Sequence, residues 1–217
     1  MRETIYTIPL TDALAAGGCP FCYLHRRTEE QLLHLYLEGG VMEPDWRGRL
    51  LEKGLCGPHL QKLFQSSPRL GMAILTKSLV DQAGELMAES AKKRRLEAPP
   101  SSCLACSDLT DAFGHYTESF LLTYRKEADF REQMRQSSLC IPHLWRVIRY
   151  VSRKPWRNGE TEKEFIDTAR TYLATVQKDL NWFIQKFDYR FDQEPWNGAE
   201  DALERALRLI GGPDGNF

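Results

Sequence analysis

The chain has 217 residues, of which 42% are hydrophobic and 27% charged, and a formal net charge of -1. That length can bury a substantial core without disulfide staples, and the near-neutral balance gives no overall pull toward nucleic acid or an anionic membrane. The opening Met1-Arg2-Glu3-Thr4-Ile5-Tyr6 has charge but no apolar stretch behind it, so no export signal is expected.

No apolar run reaches the length of a membrane span; Met72 to Val80 is interrupted by Lys77 and Ser78. The expected location is therefore the cytoplasm. There thiols stay reduced, and clustered cysteines serve as ligands or redox groups rather than as disulfides.

In chain order, the first signal is Cys19-x-x-Cys22, from which a helix runs to Glu38. Leu24, Gln31, Leu32 and Leu35 fall near helical spacing, and Gly39-Gly40 is the stop. A shorter helix, Met42 to Lys53, ends before Gly54. After Cys56, Pro58 and His59 open the next one, proline being tolerated where its missing N–H costs nothing. Ser66-Ser67-Pro68 interrupts it, and a long helix follows from about Leu70 to Arg95. Ala98-Pro99-Pro100-Ser101-Ser102 forms a junction, after which the plan restarts.

The second round has a helix from about Cys106 to Tyr124, a short one near Phe130, and one from Pro142 to Val151. A third segment has no cysteine. Its long helix, Thr161 to about Phe187, places Phe165, Ala169, Tyr172, Val176, Leu180, Phe183 and Phe187 along one side. A last helix, Ala199 to Ile210, stops at Gly211-Gly212-Pro213. Strand signals are scarce, so the expected class is all-α. Residues 1–98, 99–155 and 156–217 are expected as first repeat, second repeat and C-terminal helices, packed together.

The restart reads as a duplication. Cys103, Cys106, Cys140 and His143 each stand 84 residues after Cys19, Cys22, Cys56 and His59. Neighbours keep the register without a gap: Glu43-Pro44-Asp45-Trp46-Arg47 aligns with Glu127-Ala128-Asp129-Phe130-Arg131, Leu55 with Leu139, and Pro58 with Pro142. Such a match implies one structural unit used twice. His25, His34 and His115 have no counterparts and read as surface or packing residues, with His25 kept in view because it lies near Cys22.

Three thiolates and an imidazole suit a borderline-soft ion, and four such ligands complete a tetrahedron. Cys-x-x-Cys can place both sulfurs on one ion, and Cys-x-x-His does the same across one helical turn. Helix starts favour thiolate through free N–H groups and the dipole. Disulfides would leave an odd cysteine in each copy and give the repeated histidine no role. Two zinc ions are expected, with an iron–sulfur cluster as the rival. Closure of each site within one copy is the simpler reading, and exchange of ligand pairs between copies is the other.

Asp45 and Arg47, with Asp129 and Arg131, recur as Asp-aromatic-Arg and are candidates for supporting the ligands from behind. Lys92-Lys93-Arg94-Arg95 reads as a solvated helix end. Arg146, Arg149 and Arg153 beside Trp145, Tyr150 and Trp156 could grip phosphates and stack bases, but an ordinary amphipathic helix is the better reading, and the near-neutral chain supports it. No phosphate loop, nucleophile elbow or dinucleotide fingerprint occurs.

Several stretches carry a resemblance: Arg2 to Pro9, Cys19-Pro20-Phe21-Cys22, Met42-Glu43-Pro44-Asp45, Gly54-Leu55-Cys56-Gly57-Pro58-His59 and Lys186-Phe187-Asp188-Tyr189-Arg190. They resemble an uncharacterised bacterial family of helical proteins with metal-binding cysteines and histidines, over nearly the whole chain. Members of it are sometimes labelled transporter substrate-binding proteins, a label that does not suit a chain expected to lack an export signal. The resemblance implies that the metal ligands are family features and supplies no activity.

The functional expectation is a cytoplasmic two-zinc binding or adaptor module rather than an enzyme, with no catalytic residues assigned. A protein partner is favoured over nucleic acid, and none is expected in the membrane. The alternatives are a thiol-based redox or metal sensor and an iron–sulfur protein serving an enzyme.

Overall fold

The computed structural model describes residues 7–66, 69–93, 102–136, 139–153 and 159–212. Among them are ten α-helices and two short 3-10 turns, and no strand. The helices are α1 (Thr7–Ala15), α2 (Pro20–Glu38), α3 (Pro44–Lys53), α4 (Gly57–Ser66) and α5 (Arg69–Lys93). They continue with α6 (Leu104–Lys126), α7 (Ala128–Gln136), α8 (Ile141–Ser152), α9 (Gly159–Gln185) and α10 (Ala202–Gly211). The all-α expectation holds. Among the described residues no helix is long and apolar enough to cross a membrane.

Helix α1 escapes a sequence reading because it is only nine residues long. It is fixed by burial of Thr7, Leu10, Ala13 and Leu14. Gly17 and Gly18, both at positive φ, then turn the chain into α2. Helix α10 begins three residues later than expected, at Ala202 with Asp201 as its N-cap, after a turn in which Asn197 and Gly198 take positive φ. Residues 1–6, 94–101, Trp156 and Pro213 lie outside the described residues, and with them the expected end of α5 and its junction.

The chain divides into two compact units, one formed by Met1–Leu24 with Gly114–Phe217 and the other by His25–Phe113. The boundaries fall within α2 and α6. The contiguous unit has a core of Leu33, Tyr36, Leu37, Val41, Leu50, Leu63, Leu75, Leu104 and Ala105. Trp46 lies against Tyr36, ring centroids 5.1 Å apart, and covers Gly40, where a methyl would meet the indole at 3.1 Å. The Tyr36 hydroxyl donates to Asp108, which also receives Arg49. The Leu104 N–H donates to the Gly54 carbonyl, tying the end of α3 to the start of α6.

The discontinuous unit is built on aromatic rings. Phe120 meets Phe21, Phe130 and Phe165 at centroid distances of 5.3, 5.5 and 5.9 Å, the last two edge-on, as ring quadrupoles prefer. Val176, Ala206 and Leu209 join α9 to α10, with Ile141, Tyr172, Leu173 and Leu180 around them. Arg205 fastens the same pair by donating to Asp179 at 2.9 Å. Beyond α9, the Lys186 ammonium donates to the carbonyls of Phe191, Asp192 and Glu194 and so closes that turn.

Candidate metal centres

The eight ligands expected from sequence gather into two groups of four: Cys19, Cys22, Cys140 and His143 in the discontinuous unit, and Cys56, His59, Cys103 and Cys106 in the contiguous one. Closure within one copy is therefore not what the fold does. Each Cys-x-x-Cys meets the Cys-x-x-His of the other stretch. Sequence spacing fixes which two residues share a helical turn, whereas the partner turn is chosen by how helices far apart in the chain pack.

All four pairs occupy helix starts. Cys19 precedes α2 and Cys22 lies in its first turn. Cys56 and His59 flank the start of α4 in the same way, as do Cys103 and Cys106 at α6 and Cys140 and His143 at α8. Cys140 is itself the N-cap of α8, in extended conformation, with its carbonyl accepting from the Leu144 N–H. Pro20, Pro58 and Pro142 sit in these first turns, where no N–H is needed.

In the discontinuous unit, Nδ1 of His143 lies 3.1 Å from the sulfur of Cys140, 3.2 Å from Cys22 and 3.6 Å from Cys19, with Cys22 and Cys140 3.6 Å apart. In the contiguous unit, Nδ1 of His59 lies 3.0 Å from Cys56, 3.4 Å from Cys103 and 3.5 Å from Cys106. Zinc–sulfur and zinc–nitrogen bonds at tetrahedral angles imply edges of about 3.6 Å for S···N and about 3.8 Å for S···S. The observed edges match or slightly undershoot that tetrahedron. They also far exceed a disulfide bond, about 2.05 Å, and every cysteine is free.

The thiol electrostatics fit the same conclusion. Burial alone would push the Cys19 thiol up, yet hydrogen bonds from Cys140, Cys22 and His143 outweigh it and hold Cys19 low. Cys22 is then driven up by its bonds to Cys140 and Cys19. Cys140 is pushed up to about 11, chiefly by Cys19. In the contiguous unit Cys106 is pushed up to about 12 by burial and by Cys103. Without a cation, one thiolate forms and suppresses its neighbours. A divalent ion at the centre lets all three ionise. The donor set and its spacing thus fit a soft, four-coordinate ion.

The surroundings of the two groups differ. Nε2 of His59 lies 3.1 Å from Oε1 of the buried Glu29, and Lys62 donates to the same carboxylate at 2.7 and 2.8 Å. With Glu29 accepting from Nε2–H, Nδ1 presents its lone pair to the sulfurs, as a metal requires. In the other group the His143 ring stacks on Phe21 at a centroid distance of 5.9 Å. Backbone also presses on it: a methyl at Gly212, whose φ is +67°, would lie 2.9 Å from the Cys22 sulfur and 3.9 Å from that of Cys140.

Asp45 and Asp129 stand exposed in the first turns of α3 and α7. Arg47 is half-buried on α3. Arg131 donates to the carbonyls of Tyr124 and Arg125 at the end of α6. None of the four belongs to either cysteine–histidine group, nor does His25, His34 or His115. His34 pairs with Glu38 on the surface. Arg146 and Arg149 are exposed on α8 with Trp145, and Arg153, the C-cap of that helix, is exposed as well.

Glu29, Lys62 and Gly212 are the residues that sequence reasoning missed. At the 84-residue offset position 29 meets Phe113, so a search for residues shared at that offset discards Glu29, while Lys62 meets the equally basic Arg146 and looks like any solvated cation. The i,i+3 placement of Lys62 after His59 was the available signal.

The chain belongs to a family of unknown function, DUF6062, whose family model matches residues 1–215. No curated protein and no solved structure matches it.

Proposed function

We propose that this member of DUF6062 is a cytoplasmic two-zinc protein, with one ion in each unit, that acts as a binding or adaptor module for protein partners. The observation that carries the reading is the convergence, twice, of three sulfurs on a single imidazole nitrogen at 3.0 to 3.6 Å. Four protein ligands fill a tetrahedron and leave no position for water or substrate, which is the pattern of structural zinc. An ion at the first group would cross-link residues 118 apart and one at the second residues 44 apart, closing loops whose entropy otherwise opposes folding. The duplicated ligand spacing is explained if one ancestral unit carried both pairs.

The test is elemental analysis of gently purified protein. About two zinc ions per chain are expected by ligand count, and a metal-free protein that takes up none overturns the reading. An absorption spectrum of protein prepared without air separates the iron–sulfur alternative, because zinc–thiolate sites are colourless and clusters are not.

A further inference from the structure

The two groups offer the same donors but do not bury them alike. In the discontinuous unit Cys19 and Cys140 are 7% and 2% exposed and Cys22 and His143 are half-buried, with a methyl at Gly212 able to meet the Cys22 sulfur at 2.9 Å and Phe21 stacked on the His143 ring. In the contiguous unit Cys103 and His59 are each 7% exposed, but Cys56 is half-buried and Cys106 is exposed. A tetrahedral d¹⁰ ion changes partners when an entering ligand adds to it, and such expansion to five-coordination is accessible to zinc. The entering ligand needs a face of the site not covered by protein. Among the described residues of the two groups, Cys106 is the one exposed member, and it marks the side at which such a ligand would enter.

Resting on the reading of both groups as zinc sites, we infer that the Cys56/His59/Cys103/Cys106 site is an exchange site. It passes its ion to, or takes it from, a soft thiolate-bearing or chelating ligand that enters beside Cys106. The other site keeps its ion as a fixed cross-link. The exchange step moves no electrons. The entering thiol forms a metal–sulfur bond, the bond to Cys106 breaks, and the proton of the entering thiol passes to the Cys106 sulfur. Glu29 is the positioning residue in this step. Itself held by Lys62, it keeps His59 aimed at the ion while Cys106 is away, so that Cys56, His59 and Cys103 remain as a three-ligand seat to which the fourth returns.

The experiment uses the full chain loaded with two zinc ions and an excess of a coloured pyridylazo chelator. Release is expected in two phases of one ion each, separated in rate by at least about tenfold, which corresponds to a barrier difference of about 1.4 kcal/mol. Cys106→Ser should abolish the fast ion and leave the slow one in place. Should that variant fold poorly, brief iodoacetamide treatment of the loaded wild-type chain decides. Cys106 is expected to be alkylated before Cys19, Cys22 and Cys140. Release of both ions at one rate, or first labelling at Cys19, Cys22 or Cys140, overturns the exchange site while leaving two bound zinc ions intact. A chain that binds no zinc at the outset overturns the zinc reading itself.

Discussion

The two cysteine–histidine groups make a natural experiment in which the donors are held constant and the supports vary. In the contiguous unit the histidine is oriented by charge, through Glu29 and Lys62. In the discontinuous unit the histidine ring stacks on Phe21, and the backbone at Gly212 lies so close that an added methyl would meet the Cys22 sulfur. The comparison teaches that ligand spacing specifies what can bind, and that the residues behind the ligands decide how each site responds to solvent, strain and competitors.

The most severe way to break the comparison is to remove a ligand from one side of it. Cys140→Ala should reduce bound zinc from about two ions to about one and destabilise its unit by several kcal/mol, since structural zinc contributes folding free energy directly. Elemental analysis with a thermal melt checks both parts, and retention of two ions would contradict the assignment. Next in size, Glu29→Gln should weaken zinc at the second site by about 10- to 100-fold and leave the first untouched. A competition titration that finds equal weakening at both sites would show that Glu29 does not act through His59.

Gly212→Ala probes the opposite support. Its methyl would meet a sulfur at 2.9 Å in a left-handed backbone, so a cost of about 1–3 kcal/mol is expected, confined to the unit containing Cys22. Chelator release should speed up there and stay unchanged at the site of Cys106. The smallest effect in the series belongs to Tyr36→Phe. It removes a 2.7 Å hydrogen bond to Asp108 but leaves Arg49 on that carboxylate, and about 1–2 kcal/mol should be lost in denaturant unfolding with zinc content unaffected.

Much of this was legible before any fold was known. The equal 84-residue offsets single out all eight residues that gather in the two groups, and nine of the ten helices among the described residues are located to within a few residues. The pairing of the groups was not legible, because Cys-x-x-Cys and Cys-x-x-His are each complete as a local two-donor unit and carry no mark of the partner they meet. Helix α1 was hidden by its brevity. Glu29 lay in plain view on α2, yet a buried acid facing a histidine on α4 differs from a solvated acid only through tertiary packing. Gly212 read as an ordinary stop, and nothing in a stop signal announces a nearby sulfur.

The division of the chain into a contiguous unit nested inside a discontinuous one has a consequence during synthesis. The inner site is complete once residue 106 has left the ribosome, whereas the outer one must wait for residue 143. Domains generally fold as they emerge, so the inner group is assembled first, while Cys19 and Cys22 still await Cys140 and His143. The order of assembly of the two groups is thus written into the order of the letters.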